Sequence, residues 1–312
     1  MNSGEKELIA RLRRIATDPA ARGLADDAAV MGSLVLTHDM IAEGVHFLPD
    51  DPPASVGWKL VTVNLSDLAG KGAKPVAALM GVCLSSDPEW DEKFLGGVAA
   101  ACETYGLPLV GGDTIALPPG APRIFGLTAI GENHGPVPAR SGASAGDQLW
   151  LVGTVGDAAA GLALLASDGK AEGPLVEAYR RPVPQLAVGR LLAPLASAMM
   201  DVSDGLLIDA SRLAEASGLA IHIDLAALPL SRAFIAERGA GRSARIAAAT
   251  GGDDYALLVA LPADIDPLGV SLPAGTIIQR IGTLSNGTGM TLADAGGEVP
   301  LPERLGYEHR RA

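Results

Sequence analysis

Short motifs that contain aspartate recur along the chain where an apolar run meets glycine or another small residue. Irregular backbone at such places exposes side chains for ligand binding. A carboxylate in apolar surroundings is unfavourable unless it is hydrogen-bonded, ion-paired or bound to a cation. The aspartates that could act together are Asp27, Asp39, Asp67, Asp113, Asp201 and Asp204. If they converge, their combined charge predicts a site for several Mg²⁺ ions, which prefer oxygen ligands and also bind phosphates.

Metal-assisted phosphoryl transfer is the reaction that such a site favours, because it depends on positioning and charge neutralisation. Neither of the common glycine-rich nucleotide motifs is present, so a P-loop and a dinucleotide-binding fingerprint are both disfavoured. A glycine-rich turn at residues 153–157 leads into a predicted helix and could bind phosphate. Because its sequence signal is weak, we expect this turn to be structural.

The segment from Trp58 to Ala69, which carries Asp67, is predicted to be a helix with one apolar face. Asn64 and Asp67 are three residues apart and would lie together on one side of it. The glycines and proline of residues 70–75 are expected to end the helix. Taken alone, Asp67 could instead be solvated, bonded to a backbone N–H or paired with Lys71. The recurrence of similar aspartates favours the metal site.

The length of 312 residues and the hydrophobic pattern predict two α/β domains. First-half helices are expected at 5–15, 58–69 and 90–105, and strands at 28–31, 34–37, 77–84, 107–110 and 123–131. Second-half helices are expected at 158–166, 186–193, 205–217 and around 246–249, and strands at 148–152, 220–224 and 255–261. Glycine and proline at 135–138 mark the linker, which places the domain boundary between residues 137 and 138.

Composition disfavours several classes of partner. Hydrophobic residues make up 48% of the chain and charged residues 19%, which predicts a compact globular protein. The formal net charge of -12 disfavours binding to nucleic acid or to an anionic membrane. The chain shows no signal-peptide pattern and no apolar run long enough to cross a bilayer, so we expect a cytoplasmic protein. Cys83 and Cys102 are expected to be buried thiols.

Taken together and in order, these motifs resemble those of thiamine-monophosphate kinases over nearly the whole chain. Each motif is weak alone, but the ordered set is specific. The motifs are Gly4-Glu5 with Leu8-Ile9, Asp26-Asp27-Ala28-Ala29, Thr37-His38-Asp39-Met40, Glu43-Gly44-Val45-His46-Phe47, Asn64-Leu65-Ser66-Asp67-Leu68, Gly111-Gly112-Asp113-Thr114, Arg140-Ser141-Gly142-Ala143, Asp201-Val202-Ser203-Asp204-Gly205-Leu206 and Gly252-Asp253-Asp254-Tyr255.

The resemblance implies a two-domain α/β (α+β) fold shared with aminoimidazole ribonucleotide synthetase. Residues 1–137 would form an N-terminal domain that binds metal and ATP, and its sheet would pair with a second subunit's sheet as a barrel in a homodimer. Residues 138–312 would form a C-terminal α/β domain. The implied reaction is phosphorylation of thiamine monophosphate to thiamine diphosphate, with ATP as co-substrate and Mg²⁺ as cofactor, at a site between the domains.

The resemblance also implies roles for individual residues. Implied metal ligands are Asp27, Thr37, His38, Asp39, Asp67, Asp113, Asp201 and Asp204. Implied nucleotide contacts are Gly112, Asp113, Arg140 and Ser203, and implied substrate contacts are His46, Asp253 and Tyr307. Asp67, Asp113 and Asp204 would act in catalysis. His38 replaces the family's usual Ser or Thr, so only its backbone could serve a metal. Asp253 replaces the usual Glu, so its substrate contact could pass through water or be made by Asp254.

Other interpretations remain open at this stage. Aminoimidazole ribonucleotide synthetase is the alternative enzyme, although the motifs at 43–47 and 252–255 fit the kinase better. The alternative from a different class is a non-catalytic protein that binds nucleotide or metal on the same scaffold. Retention of all the aspartates disfavours that protein, since unpaired carboxylates in a cleft destabilise a fold that binds no cation.

Overall fold

Two β-sheets, one in each half of the chain, form the framework of residues 4–309, which the computed structural model describes. The first sheet contains β1 (Ala29–Met31), β2 (Leu34–Ala42), β3 (Lys74–Leu84), β4 (Leu109–Ala116) and β5 (Ile124–Glu132). The second contains β6 (Gln148–Val152), β7 (Ala198–Val202), β8 (Leu219–Asp224), β9 (Ala256–Leu261), β10 (Ile278–Asn286), β11 (Gly289–Asp294) and β12 (Gly297–Val299). The prediction of an α/β chain with two such units is confirmed.

The first sheet has the strand order β1-β2-β5-β3-β4. Strand β5 pairs antiparallel with β2 and with β3, while β4 pairs parallel with β3 at the edge. All residues of β4 are exposed, including Val110 at 62% and Ile115 at 56%. Long apolar edge strands are usually covered by another element or chain. This edge is therefore the part of the first sheet most suited to contact with a partner.

The second sheet has the order β12-β11-β8-β10-β6-β9-β7. Its central strands are predominantly apolar, and every residue of β7 and β9 is buried. A strand that is buried on both faces has a continuous hydrophobic sequence, which explains why every residue from Ala256 to Leu261 is apolar. Asp201, on β7, is therefore a carboxylate inside a hydrophobic strand.

Nine helices are present within residues 4–309. They are α1 (Gly4–Leu12), α2 (Pro53–Gly70), α3 (Pro88–Tyr105), α4 (Asp157–Ser167), α5 (Pro174–Arg180), α6 (Leu186–Leu192), α7 (Leu206–Ser217), α8 (Arg232–Arg238) and α9 (Arg242–Thr250). Proline at the first helical positions of α2, α3 and α5 fits the helix start, where an N–H would be unbonded in any case. Helices α5 and α8, each 7 residues long, were not predicted.

Helix α2 lies between the two sheets and contacts β2 and β5 of the first and β7 and β9 of the second. All its residues from Lys59 to Gly70 are buried, including Asn64 and Ser66. The predicted division into an apolar face and a polar side is therefore wrong, because the helix is covered on all sides. The helix does end at Gly70 as predicted, but Pro75 belongs to the next strand, β3.

Strand β4 differs from its prediction in a way that matters for the site. The expected strand ended at Val110, before the two glycines, whereas β4 continues through them to Ala116. A Cβ on Gly112 would stand 1.9 Å from the backbone oxygen of Met80 on β3, so only glycine allows the close parallel approach. Asp113 consequently lies within the edge strand, opposite Gly81, instead of on a loop beyond it.

Candidate active site

A cleft of about 540 Å³ opens between the two halves of the chain. Strand β2 and the segment after it form one wall, and the loops that follow β7 and precede β9 form the other. Six of the residues predicted to act in the site line this cleft: Asp39, His46, Ser203, Asp204, Asp253 and Tyr307. The structure thus brings together side chains that are far apart in sequence.

Three carboxylates lie at or beneath the floor of the cleft, on three different elements. Asp39 is on β2, Asp67 on α2 and Asp201 on β7. Burial, followed by the charges of Asp27 and Asp204, raises the pKa of Asp39 to about 6. Burial also raises the pKa of Asp67 well above its usual range, with Asp39 and Asp201 adding to the effect. Burial and mutual repulsion therefore disfavour the ionised form of these carboxylates unless a cation is bound.

Local packing explains why these carboxylates meet. A Cβ on Gly70 would stand 3.0 Å from the backbone nitrogen of Asp201, so glycine lets the end of α2 approach β7 closely. Thr37 on β2 donates a hydrogen bond to the Asp67 carboxylate. The backbone N–H of Asp39 donates to Asn64 Oδ1 at 2.8 Å. Helix α2 thereby fixes both carboxylates on the first-domain side of the cleft.

Asp27 is neutralised by two cations in this structure. Its carboxylate pairs with Arg140, and its Oδ2 lies 2.7 Å from Lys71 Nζ. The same ammonium, which is fully buried, lies 2.5 Å from Oδ1 of the neighbouring Asp26 and donates to Met199 O at 2.9 Å. Lys71 therefore pairs with Asp26 and Asp27, and the simpler interpretation of a pair with Asp67 is wrong.

Asp204 is held by a second ion-pair group at the start of α7. Arg212 Nη1 lies 2.6 Å from Asp204 Oδ2 and 2.7 Å from Asp209 Oδ1. The buried Asp209 carboxylate also accepts from the backbone N–H groups of Ser203 and Asp204, at 3.1 and 3.0 Å. Burial raises the pKa of Asp209 to about 6 despite the opposing charge of Arg212. This group fixes the backbone of the Ser203-Asp204 loop.

The three predicted substrate residues also line the cleft. His46 Nδ1 accepts from the Ala42 N–H at 3.1 Å, and burial lowers the pKa of His46, which favours the neutral ring. The Asp253 carboxylate accepts from Tyr255 Oη at 2.9 Å and lies 2.5 Å from a buried ammonium, Lys59 Nζ. Tyr307 is 48% exposed, and its N–H donates to Asp204 O at 2.9 Å.

The side chains of two predicted site residues, and one predicted glycine, lie outside the cleft. Asp113 and Gly112 are on the exposed strand β4, outside the cleft lining. His38 points to the opposite face of β2 from Thr37 and Asp39, and its Nδ1 is 2.9 Å from Thr128 Oγ1. Only the backbone of His38 is therefore left for a contact within the cleft.

Sequence reasoning missed the cations that organise the site and a tyrosine in the cleft lining. Lys59, Arg212 and Tyr179 were not predicted to take part, and Lys71 was considered only as a partner of Asp67. Lys59 was the more accessible clue, since it interrupts an apolar helical segment, whereas Lys71 follows the end of the helix. A lysine in such a segment is rarely buried unless it is paired. Their partners could not be named, because Asp253 is 194 residues from Lys59.

The glycine-rich turn at 153–157 has the structural role that was expected. Asp254 accepts from the N–H groups of Gly156 and Ala158, at 2.6 and 3.2 Å, and so caps α4. Asp157 accepts from the hydroxyls of Thr154 and Ser231, at 2.8 and 2.6 Å. Two of the N–H groups at this helix start are therefore bonded to Asp254.

The chemistry of the donor set fits Mg²⁺. Within residues 4–309, no three His, Cys, Asp or Glu side chains are gathered closely enough to hold a metal ion as they stand. The cleft floor nevertheless offers carboxylate oxygens from Asp39, Asp67 and Asp201, and burial raises the pKa of each. A bound divalent cation reverses that effect and favours the ionised carboxylates. Asp27 and Asp204 are held by arginine and lysine side chains beside them.

Comparison with known proteins matches the chain to one family along most of its length. The family models described as AIR synthase related protein match residues 25–133 with the N-terminal domain and residues 144–292 with the C-terminal domain. No helix among the described residues has the length and apolar character needed to span a membrane.

Individual relatives agree with the family models. Thiamine-monophosphate kinase of Caulobacter vibrioides is 38% identical, over 98% of this chain and 90% of its own length. The enzyme of the same name from Salmonella typhimurium is 36% identical, over 84% of each chain. Among solved structures, AaThiL complexed with AMPPCP and TMP superposes with a TM-score of 0.84 at 31% identity, covering 98% of this chain and 97% of that one.

Proposed function

The chain belongs to the thiamine-monophosphate kinase family of AIR synthase related proteins, and we propose that it phosphorylates thiamine monophosphate with ATP. In this reaction an oxygen of the acceptor's phosphate forms a bond to the γ-phosphorus of ATP. The bond from that phosphorus to the β,γ-bridging oxygen breaks, which yields thiamine diphosphate and ADP. A solved relative complexed with AMPPCP and TMP supports the assignment of these two substrates.

The observation that supports this proposal most is the position of the buried carboxylates. Asp39 lines a cleft of about 540 Å³, and Asp67 and Asp201 are buried behind it, where burial and then the charges of Asp39 and Asp201 raise the pKa of Asp67. Two phosphorylated substrates can bind there only if this negative charge is neutralised. Mg²⁺, when bound, would neutralise the carboxylates and the phosphates together and polarise the transferring group. The proposed ligands are Asp27, Thr37, the His38 backbone, Asp39, Asp67, Asp113, Asp201 and Asp204.

The chain's own residues would position the two substrates. We assign the nucleotide side to Gly112, Asp113, Arg140 and Ser203, as the resemblance implies. Arg140 could exchange its ion pair with Asp27 for a phosphate, since guanidinium binds both groups in the same planar geometry. The group of Asp209 and Arg212 would keep Asp204 in place. Asp67, Asp113 and Asp204 are the proposed catalytic residues.

The substrate end of the cleft fits the chemistry of thiamine. A cationic thiazolium and a flat aminopyrimidine require an aromatic face and a carboxylate. The described residues lining that end include the Tyr307 ring and the Asp253 carboxylate, and His46 lies beside them. His46 and His309 rings are 5.8 Å apart, and Tyr307 lies 5.0 Å from His309. We propose His46, Asp253 and Tyr307 as the substrate contacts.

Tyr307→Ala and Asp253→Ala are expected to raise KM for thiamine monophosphate while KM for ATP stays nearly constant. Loss of a stacking or charge-assisted contact weakens binding by roughly ten- to a hundredfold. Steady-state kinetics with each substrate varied in turn measures both constants. Tyr105→Ala is a suitable control, since Tyr105 packs on Trp58 away from the cleft lining. A rise in KM for ATP instead would mean that the substrate end is assigned wrongly.

We also propose that the chain forms a homodimer in which the edge strand β4 meets a second copy. All residues of β4 are exposed, and several are large and apolar. A dimer of this kind would bring Asp113 and Gly112 to an interface and close the predicted barrel.

The proposed domains are residues 1–137 and 138–312, which agrees with the gap between the two family matches. Use of ATP and the two free thiols fit a cytoplasmic location.

Light scattering is expected to give a mass of twice 31.6 kDa at micromolar concentration. Val110→Lys should shift the protein towards monomer, because it places a charge on the apolar edge of β4. Val183→Lys is the matched control, since Val183 is 61% exposed, almost as much as Val110 at 62%, but lies outside the first sheet. A wild-type protein that is monomeric at this concentration would contradict the proposed dimer.

The proposed reaction is tested by measuring ADP release with different acceptors. Thiamine monophosphate should support steady ADP release, whereas thiamine should not, because it lacks the phosphate that accepts the transferred group. ADP release that is independent of thiamine monophosphate would favour another ATP-dependent enzyme of this family. Binding of ATP without any turnover would favour a non-catalytic nucleotide-binding protein.

A further inference from the structure

Lys59 is a buried lysine whose ammonium joins residues from both halves of the chain. It lies on α2, and its side chain is 2% exposed. Its Nζ is 2.5 Å from Asp253 Oδ2, donates to the backbone oxygen of His46 at 2.9 Å and lies 4.1 Å from the centre of the Tyr179 ring. A buried ammonium is unfavourable unless such partners compensate for its lost hydration.

The segment that carries Asp253 has a constrained backbone. Asp253 and Tyr255 both have positive φ, at 74° and 53°. This conformation is uncommon for residues other than glycine and persists only where surrounding contacts hold it. The N–H groups of Asp253 and Tyr255 donate to Ser203 O and Val202 O, at 2.7 and 2.9 Å. The ion pair with Lys59 and the hydroxyl of Tyr255 then fix the direction of the Asp253 carboxylate.

Lys59 acts from beneath the cleft wall. His46, Tyr179 and Asp253, which are its three partners, all line the cleft, whereas Lys59 does not. The His46 ring lies 5.8 Å from the His309 ring, which contacts Tyr307. Among the described residues, the Lys59 ammonium forms no hydrogen bond or ion pair with Asp39 or Asp67.

We infer that Lys59 is a positioning residue for the acceptor end of the cleft. It fixes the Asp253 carboxylate and the backbone at His46 relative to each other, and so sets the affinity for thiamine monophosphate without affecting ATP. The inference rests on the proposed function, because it takes the phosphorylated thiamine as the ligand of this end. Lys59 touches neither substrate nor reacting atoms in this account.

Stability alone does not explain a lysine at this position. Replacement of a buried ion pair by apolar residues of similar size is often neutral or stabilising. Methionine has nearly the length of lysine and would fill the same space on α2. Asp253 is 25% exposed, so water can reach its carboxylate once the ammonium is gone. Lys59→Met should therefore remain folded while Asp253 loses its fixed direction.

The test compares Lys59→Met with the wild type, using isothermal titration calorimetry for binding and steady-state kinetics for turnover. Lys59→Met should raise both Kd and KM for thiamine monophosphate by roughly ten- to a hundredfold, as expected for loss of a charge-assisted contact. KM for ATP should stay within about twofold, because Lys59 itself bonds to none of the residues assigned to the nucleotide. Lys93→Met is the matched control, since Lys93 pairs with Glu89 on the exposed surface of α3.

A double-mutant cycle separates positioning from general damage to the fold. In an Asp253→Asn background the ion pair is already absent, so adding Lys59→Met should weaken binding by much less than it does in the wild type, since only the bond to the His46 oxygen remains to be lost. Thermal unfolding of each variant shows whether it is folded. If Lys59→Met is not folded, Lys59→Gln, which can still donate to the His46 oxygen, provides the same comparison.

The outcomes separate this inference from the proposed function. A wild-type protein that does not bind thiamine monophosphate would overturn both. A wild type that binds it, with Lys59→Met binding equally well, would overturn the positioning role alone. Equal increases in KM for both substrates, or fully additive effects in the cycle, would also overturn it, since Lys59 would then act on the whole fold. A selective and non-additive loss of binding supports it.

Discussion

Asp67→Asn is expected to lower kcat by roughly a hundred- to a thousandfold, as is typical when one group that stabilises charge in the transition state is removed. Asp67 is buried at the cleft floor between Asp39 and Asp201, so its carboxylate is the shared ligand in our account. Folding should be retained, because asparagine still offers an oxygen to the Thr37 hydroxyl. The substitution also removes a carboxyl group whose pKa is raised by burial and by neighbouring carboxylates.

The measurement is steady-state kcat together with the thermal unfolding midpoint. Asp50→Asn serves as the control, because Asp50 is exposed and this substitution removes the same formal charge. The control should keep wild-type activity. A fully active Asp67→Asn enzyme would contradict the assignment of this carboxylate as an essential ligand.

Removal of Mg²⁺ with EDTA is expected to lower kcat by roughly a thousandfold or more, and added Mg²⁺ should restore it. The size of the effect follows from the several kcal/mol that a metal contributes to charge stabilisation, since each 1.36 kcal/mol is a factor of ten. Mg²⁺ should also raise the unfolding midpoint of the wild type, because a ligand of the folded state stabilises it. This shift should be smaller in Asp67→Asn. Turnover that is insensitive to EDTA would contradict the metal-dependent account.

Much of the secondary structure was predicted from sequence patterns, but the burial of helix α2 on all sides was not. Strand β6 has the predicted bounds, because its apolar run is short and flanked by turns. Helix α2 was predicted as two-sided, since its own sequence cannot reveal that β7 and β9 cover its second side. Those strands come from residues more than a hundred positions further along the chain. Only the fold reveals that both sides are covered.

The aspartates of the site could be named from sequence because glycine-bordered carboxylates are unusual in apolar segments. Their cationic partners were less visible. Lys71 is 45 residues from Asp26, and Lys59 is 194 residues from Asp253, so no local pattern links the members of either pair. Asp113 was expected on a loop, but the parallel pairing of β3 with β4 extends the strand through Gly112. Its proposed role depends on the contact with a second copy.

The central claim is that the chain transfers a phosphoryl group from ATP to the phosphate of thiamine monophosphate. The most direct test is ³¹P nuclear magnetic resonance of a mixture of the protein, ATP, Mg²⁺ and thiamine monophosphate. The account predicts that the thiamine monophosphate signal is replaced by the two coupled signals of thiamine diphosphate, while ADP forms in equal amount. Unchanged thiamine monophosphate, with ATP either intact or hydrolysed to ADP and inorganic phosphate, would contradict it.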